Sequence, residues 1–342
     1  MNILILGTQV PFVHGGAEVL VDGLAGALSD RGHRVDVVQL PLAWNPVEGL
    51  LTTALAWRML DLKTSNGVQV DRVICTKYPT WAVDHPRKTL WLVHQHRQAY
   101  DLHGGRLSEF TPDNSAQMVR KRVIDIDRRA IAECSPRYGI SANVVGRLKK
   151  YCGIDAGVLY PPVPKLGLRP DAFDPFVLSV ARLDAAKRVG QLVDAWSRVD
   201  DSLTLMIVSD GPERGRLEAE VRRRGLEERV KFLGRVDDAA LVRLYNTCRA
   251  VYYAPVDEDY GYATVEALAA GKPVITAPDS GGVLEFIGNG LRGVVTLLTP
   301  ELLAHAVNSL VDEMAARELG ESGPALVAPL TWDMVVSHLL AE

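Results

Sequence analysis

Two glutamates, Glu258 and Glu266, frame one glycine in EDYGYATVEALAAG, residues 258–271. Residues 262–270 are strong helix formers, and Gly271 followed by Lys272-Pro273 stops them. Gly261 therefore stands just before a helix N-terminus, whose free amides can hold a sugar hydroxyl or a phosphate oxygen. Glu266 falls four residues after Tyr262, about one turn inside the helix. A carboxylate there can accept both hydrogen bonds of a ribose diol. Glu258 precedes the loop and can reach a different part of a ligand, so the two acids suit the two ends of one extended donor. Two glutamates chosen blind would be a solvated loop acid and a surface helix residue. The apolar strand RAVYYAP before them and VEALAAGKPVIT after them argue for more.

A cationic pair lies upstream, in ARLDAAKR, residues 181–188. The segment follows the apolar run PFVLSV and precedes the helical pattern VGQLVDAWSRV, so Arg182 and Lys187 sit on a strand-to-helix connection. A departing nucleoside diphosphate gains negative charge in the transition state. Two fixed cations and a helix N-terminus stabilise it without a metal ion. Arginine clamps two oxygens at once, whereas lysine acts as a point charge. Taken alone, the segment would be an ordinary solvated turn.

EDYGYATVEALAAGKPVIT resembles the E-x7-E signature of family 4 glycosyltransferases, which have the GT-B fold of two Rossmann-like domains. In that family the first glutamate lies by the donor sugar and the second binds the ribose, which gives those roles to Glu258 and Glu266. The resemblance extends the donor site over Tyr260, Gly261, Tyr262 and Ala263. The family loop reads roughly EGFG. Here Tyr260 replaces the phenylalanine, and Asp259 replaces a glycine and brings a charge that either faces solvent or meets a sugar hydroxyl. ARLDAAKR is similar to the family's GRL-x-x-x-K element, whose Arg and Lys bind the diphosphate, with Ala181 in place of the glycine. RVKFLGRV resembles a strand and loop that hold the nucleobase through backbone groups, implying Gly234, Arg235 and Val236. SDGPERGRLE resembles a G-x-G-P strand end. DSGGVLEFI resembles a GGPxE-like loop, with Val283 where proline is usual, which predicts a less rigid loop. These matches fall in order along almost the whole second half.

In the first half, Gly15 and Gly16 follow the first strand in VHGGAEVL, and a glycine pair there lets backbone approach a ligand. ILGTQVPFVHGG lacks the GxGxxG spacing of a nicotinamide fingerprint. It resembles the GT-B GG-x-E loop, with Glu18 as its acid. His94 ends an apolar strand in WLVHQHRQ, where such a sheet presents ligand contacts. The resemblance sets it near the donor sugar and gives His96 a lesser claim. Two histidines without a third ligand are weak evidence for a metal, and none is expected. Ser141 matches a family segment that begins a helix and has no assigned chemistry. The basic stretch VRKRVIDIDRRA holds Arg120, Lys121, Arg122, Arg128 and Arg129. It reads as a solvated helix face balanced by Asp125 and Asp127, in preference to a surface making weak peripheral contact with an anionic membrane.

The elements that must carry these residues are short β-branched runs alternating with helical patterns, the mark of α/β layers around parallel sheets. The first half gives strands at 2–7, 34–40, 71–76, 89–94 and 157–162, and a helix over about 17–30 that ends at Gly32. The segment 160–175 holds five prolines and marks a boundary. After it come runs at PFVLSVARL, LTLMIVSD, RVKFLG, RAVYYAP, KPVIT and RGVVTL. The expected architecture is α/β of the GT-B type, two doubly wound Rossmann-like domains facing each other across a cleft. Residues 1–163 form the N-terminal, acceptor-side domain and 164–329 the C-terminal, nucleotide-sugar-binding domain. Residues 330–342 form a C-terminal helix placed to return to the first.

A length of 342 residues fits two domains. The net charge of −4 argues against a nucleic-acid partner. The start MNILILGTQV lacks a signal-peptide pattern, no apolar run approaches the ~20 residues of a membrane span, and the scattered Cys75, Cys134, Cys152 and Cys248 fit reduced thiols. The expected location is the cytoplasm, with the inner face of the membrane as its margin. The resemblance implies a retaining glycosyltransferase of hexosyltransferase type. It would move a sugar from a UDP- or GDP-linked donor to a hydroxyl acceptor (a saccharide, a lipid-linked molecule or a small molecule) in glycan, glycolipid or cell-surface polysaccharide synthesis, with no cofactor or metal. A nucleotide-sugar epimerase on the same fold and a non-catalytic nucleotide-sugar binder stay open as alternatives. Incubation with donor alone separates the first, and binding without turnover marks the second.

Overall fold

The computed structural model describes residues 1–10, 15–105, 108, 110–164 and 167–341. It divides into two compact units, Met1–Pro162 with Thr331–Glu342, and Val163–Leu330.

The first unit is built on a six-stranded parallel sheet: β1 (Asn2–Gln9), β2 (Arg34–Pro41), β3 (Arg72–Lys77), β4 (Lys88–His94), β5 (Arg137–Gly139) and β6 (Gly157–Val158), in the order β2-β1-β3-β4-β5-β6. Strands β3 and β4 are buried along nearly their whole length, as central parallel strands are when both faces are covered. The strand expected over 157–162 shrinks to Gly157–Val158, because Pro161 and Pro162 have no N–H to donate to a ladder. Strand β5 has no apolar run to announce it; it is RYG, paired to β4 through Leu90–Arg137, Trp91–Tyr138 and Leu92–Gly139. The helix Gly16–Asp30 buries Leu20, Val21, Leu24, Ala27 and Leu28, one face at helical spacing. The helix Trp332–Leu339 belongs to this unit. Its Trp332 indole lies 2.4 Å from where a Cβ on Gly23 would stand and meets Trp91 edge-on, at 6.2 Å between centroids.

The basic helix Asn114–Ala132 corrects one expectation. Arg128 and Arg129 are exposed, but Asp127 is fully buried and accepts hydrogen bonds from Trp81 Nε1 (2.9 Å), Gln95 Nε2 (2.9 Å) and the Tyr100 hydroxyl (2.6 Å). Asp127 thus anchors the segment after β4 and does not balance surface charge. Burial, only partly offset by these donors, pushes its carboxyl up to about 6.

The second unit holds β7 (Phe176–Val180), β8 (Thr204–Val208), β9 (Val230–Gly234), β10 (Ala250–Tyr252), β11 (Val274–Thr276) and β12 (Gly293–Val295), all parallel, in the order β9-β8-β7-β10-β11-β12. Side chains alternate between two apolar layers with the period of a strand. Val177, Ala250 and Tyr252 enter one layer with Trp196 and Leu192, while Phe176, Leu178 and Val251 enter the other with Tyr245 and Ala267. This double burial is why the strands read as continuous apolar runs. Among the described residues, no helix is long and apolar enough to cross a membrane.

Candidate active site

In the second unit the chain winds outward from β7 through β8 to β9, then returns to place β10 on the other side of β7. The winding direction reverses between β7 and β10, and at such a reversal the carboxyl ends of parallel strands leave room for a ligand. The two chemically distinctive segments leave these two ends: 181–188 follows β7, and 253–261 follows β10.

There Lys187 and Glu258 meet. Lys187 closes a short 3-10 turn, Ala185–Lys187, whose cap Asp184 accepts from the amides of Ala186 (3.0 Å) and Lys187 (3.2 Å). The Lys187 ammonium pairs with Glu258 Oε2 and donates to the Tyr253 hydroxyl at 3.3 Å, and Tyr253 donates to Glu258 at 3.0 Å. Burial opposes the lysine's charge, yet the Tyr253 oxygen and the Glu258 carboxylate outweigh it and hold its pKa above the usual lysine value. Burial and then Glu258 raise Tyr253 as well. At neutral pH the triangle therefore holds an ammonium and a neutral phenol. Arg182, on the same connection, is exposed and has no ion-pair partner among the described residues.

Backbone ties fix the loop that carries Glu258. Val256 N–H donates to Ala186 (2.9 Å), Asp257 N–H to Asp279 (2.8 Å) and Glu258 N–H to Ser280 (3.2 Å), while Gly282 N–H donates back to Glu258 (2.8 Å). Gly282 is required by closeness, since a Cβ there would stand 2.6 Å from the Asp259 carbonyl oxygen. That carbonyl is thus fixed against Gly282, and the Asp259 side chain is half-buried. Val283, expected to leave its loop less rigid than proline would, is fully buried in the core layer beside Gly261, so packing holds this loop.

Gly261 has φ +91°, in the left-handed region, and caps the helix Tyr262–Ala269. A Cβ there would also meet Tyr253 and Val283 at 3.0 Å, so the turn into the helix has no room for a side chain. Tyr260 and Ala263 are buried and Tyr262 is half-buried. Glu266 is only 5% exposed, beside Tyr245 and Tyr262, whose phenols are raised by burial and then by its charge. Gly234 ends β9 with φ +67° and accepts from Ser209 N–H at 2.7 Å. Arg235 after it is exposed, and Val236 packs on the core.

The first unit has its own reversal, between β1 and β3. Residues 11–14 of the loop after β1 lie outside the described residues. Beyond them, Gly15 N–H donates to Glu18 Oε2 at 2.9 Å, and Glu18 Oε1 receives Lys77 Nζ at 2.7 Å, with both side chains nearly buried. Burial works against the Glu18 charge, but the Lys77 pair and the Gly15 amide lower its pKa overall. Gly16 starts the helix Gly16–Asp30. His94 ends β4 in register with Lys77, half-buried, with Nδ1 2.9 Å from the Gln95 carbonyl. His96 is held down at about 4 by burial and then by His94. Among the described residues no group of three or more His, Cys, Asp or Glu is placed to hold a metal ion. Sequence reasoning missed three contributors: Tyr253, the first residue past β10; Lys77, a lysine closing an apolar strand; and Arg188, beside Lys187.

A family model described as "Glycosyl transferases group 1" matches residues 168–324, nearly all of the second unit. The chain is a glycosyltransferase. It is 23% identical to an uncharacterized glycosyltransferase of Methanocaldococcus jannaschii, across 96% of this chain and 94% of that one. Among solved structures it is similar to sucrose-phosphate synthase from Thermosynechococcus elongatus (TM-score 0.75, 20% identity, 98% of this chain and 97% of that one). It is also similar to Anabaena HepE in complex with UDP and glucose (TM-score 0.70, 19% identity, 98% and 96%). With the two parallel-sheet units, these likenesses establish the GT-B fold.

Proposed function

We propose that this glycosyltransferase moves a hexosyl group from a UDP- or GDP-linked sugar to a hydroxyl acceptor with retention at the anomeric carbon. The acceptor belongs to glycan, glycolipid or cell-surface polysaccharide synthesis, and the reaction takes place in the cytoplasm. The observation that carries the reading is the meeting of Lys187, Tyr253 and Glu258 at the winding reversal of the second unit, with exposed Arg182 on the same connection. Arg182 and Lys187 supply the charge that a leaving diphosphate needs. Glu258 faces the sugar, Glu266 holds the ribose, and the backbone at Gly234–Val236 meets the base. Gly261, Tyr262 and Ala263 offer helix N-terminal amides to the diphosphate. The retaining course has the departing diphosphate take the acceptor's proton as the acceptor attacks the same face. The HepE complex with UDP and glucose supports a uridine donor as the first to try.

A thermal-shift panel of UDP-, GDP-, ADP- and dTDP-sugars identifies the donor, because the preferred one raises the melting temperature by mass action. Transfer assays then compare the wild type with Arg182→Ala, Lys187→Ala and Glu258→Ala, and NMR of the product reads its anomeric configuration. Full activity in all three variants, or an inverted product, would overturn these roles. With two protein cations on the diphosphate, saturating chelator is expected to leave the transfer rate within about twofold. Loss of activity restored by a divalent ion would remove those cations from the central role.

A further inference from the structure

We propose that Arg188 is a positioning residue, a clamp that sets Lys187 and Glu258 at their working separation; this rests on the roles proposed for those two residues. Arg188 has φ +55°, in the left-handed region that non-glycine residues avoid. Such a conformation persists where the surroundings over-determine it, and at Arg188 they do. Its Nε donates to the Ala254 carbonyl at 2.7 Å and its Nη2 to the Pro255 carbonyl at 2.6 Å. Nη1 and Nη2 also form a two-pronged pair with Asp279, at 2.9 and 2.7 Å. Its own carbonyl accepts from the Tyr252 hydroxyl at 2.9 Å. The side chain is 13% exposed.

These bonds join three segments that meet nowhere in the sequence. Arg188 follows Lys187 directly. Ala254 and Pro255 lead into Glu258. Asp279 precedes Ser280, whose carbonyl holds the Glu258 amide, and the Asp279 carbonyl holds the Asp257 amide. One guanidinium therefore ties the lysine's turn to both sides of the loop that carries the glutamate. A planar fork with several donors can do this, whereas a lysine at the same place reaches one partner at a time.

Glycine accepts the backbone conformation at 188 without strain, so Arg188→Gly removes the clamp and spares the turn. Three measurements on the full chain are compared among wild type, Arg188→Gly, Arg188→Lys and Asp279→Asn. They are thermal melting, kcat and KM with the donor the wild type uses, and hydrogen exchange of the amides of 256–258. In Arg188→Gly we expect a melting temperature within a few degrees of wild type and kcat down roughly ten- to a hundredfold. Donor KM should change less than about threefold, and exchange at 256–258 should be faster. Arg188→Lys should recover part of kcat, and Asp279→Asn should fall between. Wild-type kcat in Arg188→Gly overturns the proposal, and so does a fall in kcat without faster exchange. If the wild type transfers no sugar from any donor, the transferase reading fails by itself, and the exchange data alone then decide whether the clamp exists.

Discussion

Lys187 and Glu258 neutralise one another beside the Tyr253 hydroxyl, so in the function proposed above a diphosphate would compete with Glu258 for the ammonium. This gives the two residues opposite signatures. Lys187→Ala removes a cation from the diphosphate and should weaken nucleoside diphosphate binding and turnover together. Glu258→Gln frees the cation, so the nucleotide should bind as well as in wild type or better while kcat falls about 10²- to 10³-fold. Calorimetric titration beside steady-state kinetics reads both quantities, and weaker nucleotide binding in Glu258→Gln would refute the competition. Asp127 poses a different question, one of protons and stability. Its carboxyl lies at about 6 in the folded chain against 3.8 in an unfolded one. Between those values the native state binds more protons than the unfolded state, so this group's cost is full above pH 6 and fades as pH falls toward 3.8. The shift corresponds to about 3 kcal/mol. Urea unfolding of wild type and Asp127→Asn at pH 7 and pH 4 should therefore show the difference moving toward the wild type by up to about 3 kcal/mol at the lower pH. A difference independent of pH would mean that Asp127 keeps an ordinary pKa despite its burial.

The elements around the site are tied by backbone at least as much as by side chains. Glu258 hangs between the Ser280 carbonyl and the Gly282 amide, and Gly282 has no space for a methyl group beside the Asp259 carbonyl. Gly282→Ala must push the 258–259 backbone away, a strain of about 1–3 kcal/mol by comparison with other overpacked sites. The expected result is a folded protein with a modest loss of melting temperature and a loss of kcat at least as large as that of Arg188→Gly. Normal kcat beside reduced stability would show that the Glu258 loop tolerates displacement. Much of this frame was legible in the chain itself. Strands such as PFVLSV and LTLMIV announce themselves because both faces are buried, and helix formers after Gly261 announce the helix. Strand β5, only RYG, did not, because three residues held by register carry no apolar pattern. Nor did the partners within the site. Tyr253 is 66 residues from Lys187, Lys77 is 59 from Glu18, and Asp279 is 91 from Arg188. Pairings at such separations are made by the sheet order, and a local pattern holds no trace of them. Asp127 was misread for the same reason: helical spacing gives a face, but only the neighbours Trp81, Gln95 and Tyr100 make that face interior.

At the scale of the whole chain, each unit has its own reversal of winding and its own buried core, and the segment 331–341 closes the first of them. In the helix Trp332–Leu339, Val335 and Leu339 are fully buried and Val336 nearly so, while Trp332 covers Gly23. The Leu339 carbonyl accepts from Arg72 Nη1 at 2.7 Å and from the Thr89 hydroxyl at 3.2 Å. Arg72 and Thr89 are buried at the amino ends of β3 and β4. Ending the chain at residue 330 would expose three aliphatic side chains' worth of core, at about 1.5–3 kcal/mol each, and take the Leu339 and Ala341 carbonyls from the buried Arg72 guanidinium. The expected loss is about 5 kcal/mol or more, and it should fall on the first unit alone. Hydrogen exchange resolved along the chain distinguishes the outcomes. Protection should collapse in β1, β3 and β4 and stay unchanged in β7 and β10. Nucleotide affinity makes the matching test, because the residues given to the nucleotide's base, ribose and diphosphate lie in the second unit and a truncated chain should keep most of its binding to UDP or GDP. Equal loss of protection in both sheets would instead make the C-terminal helix a support for the entire molecule.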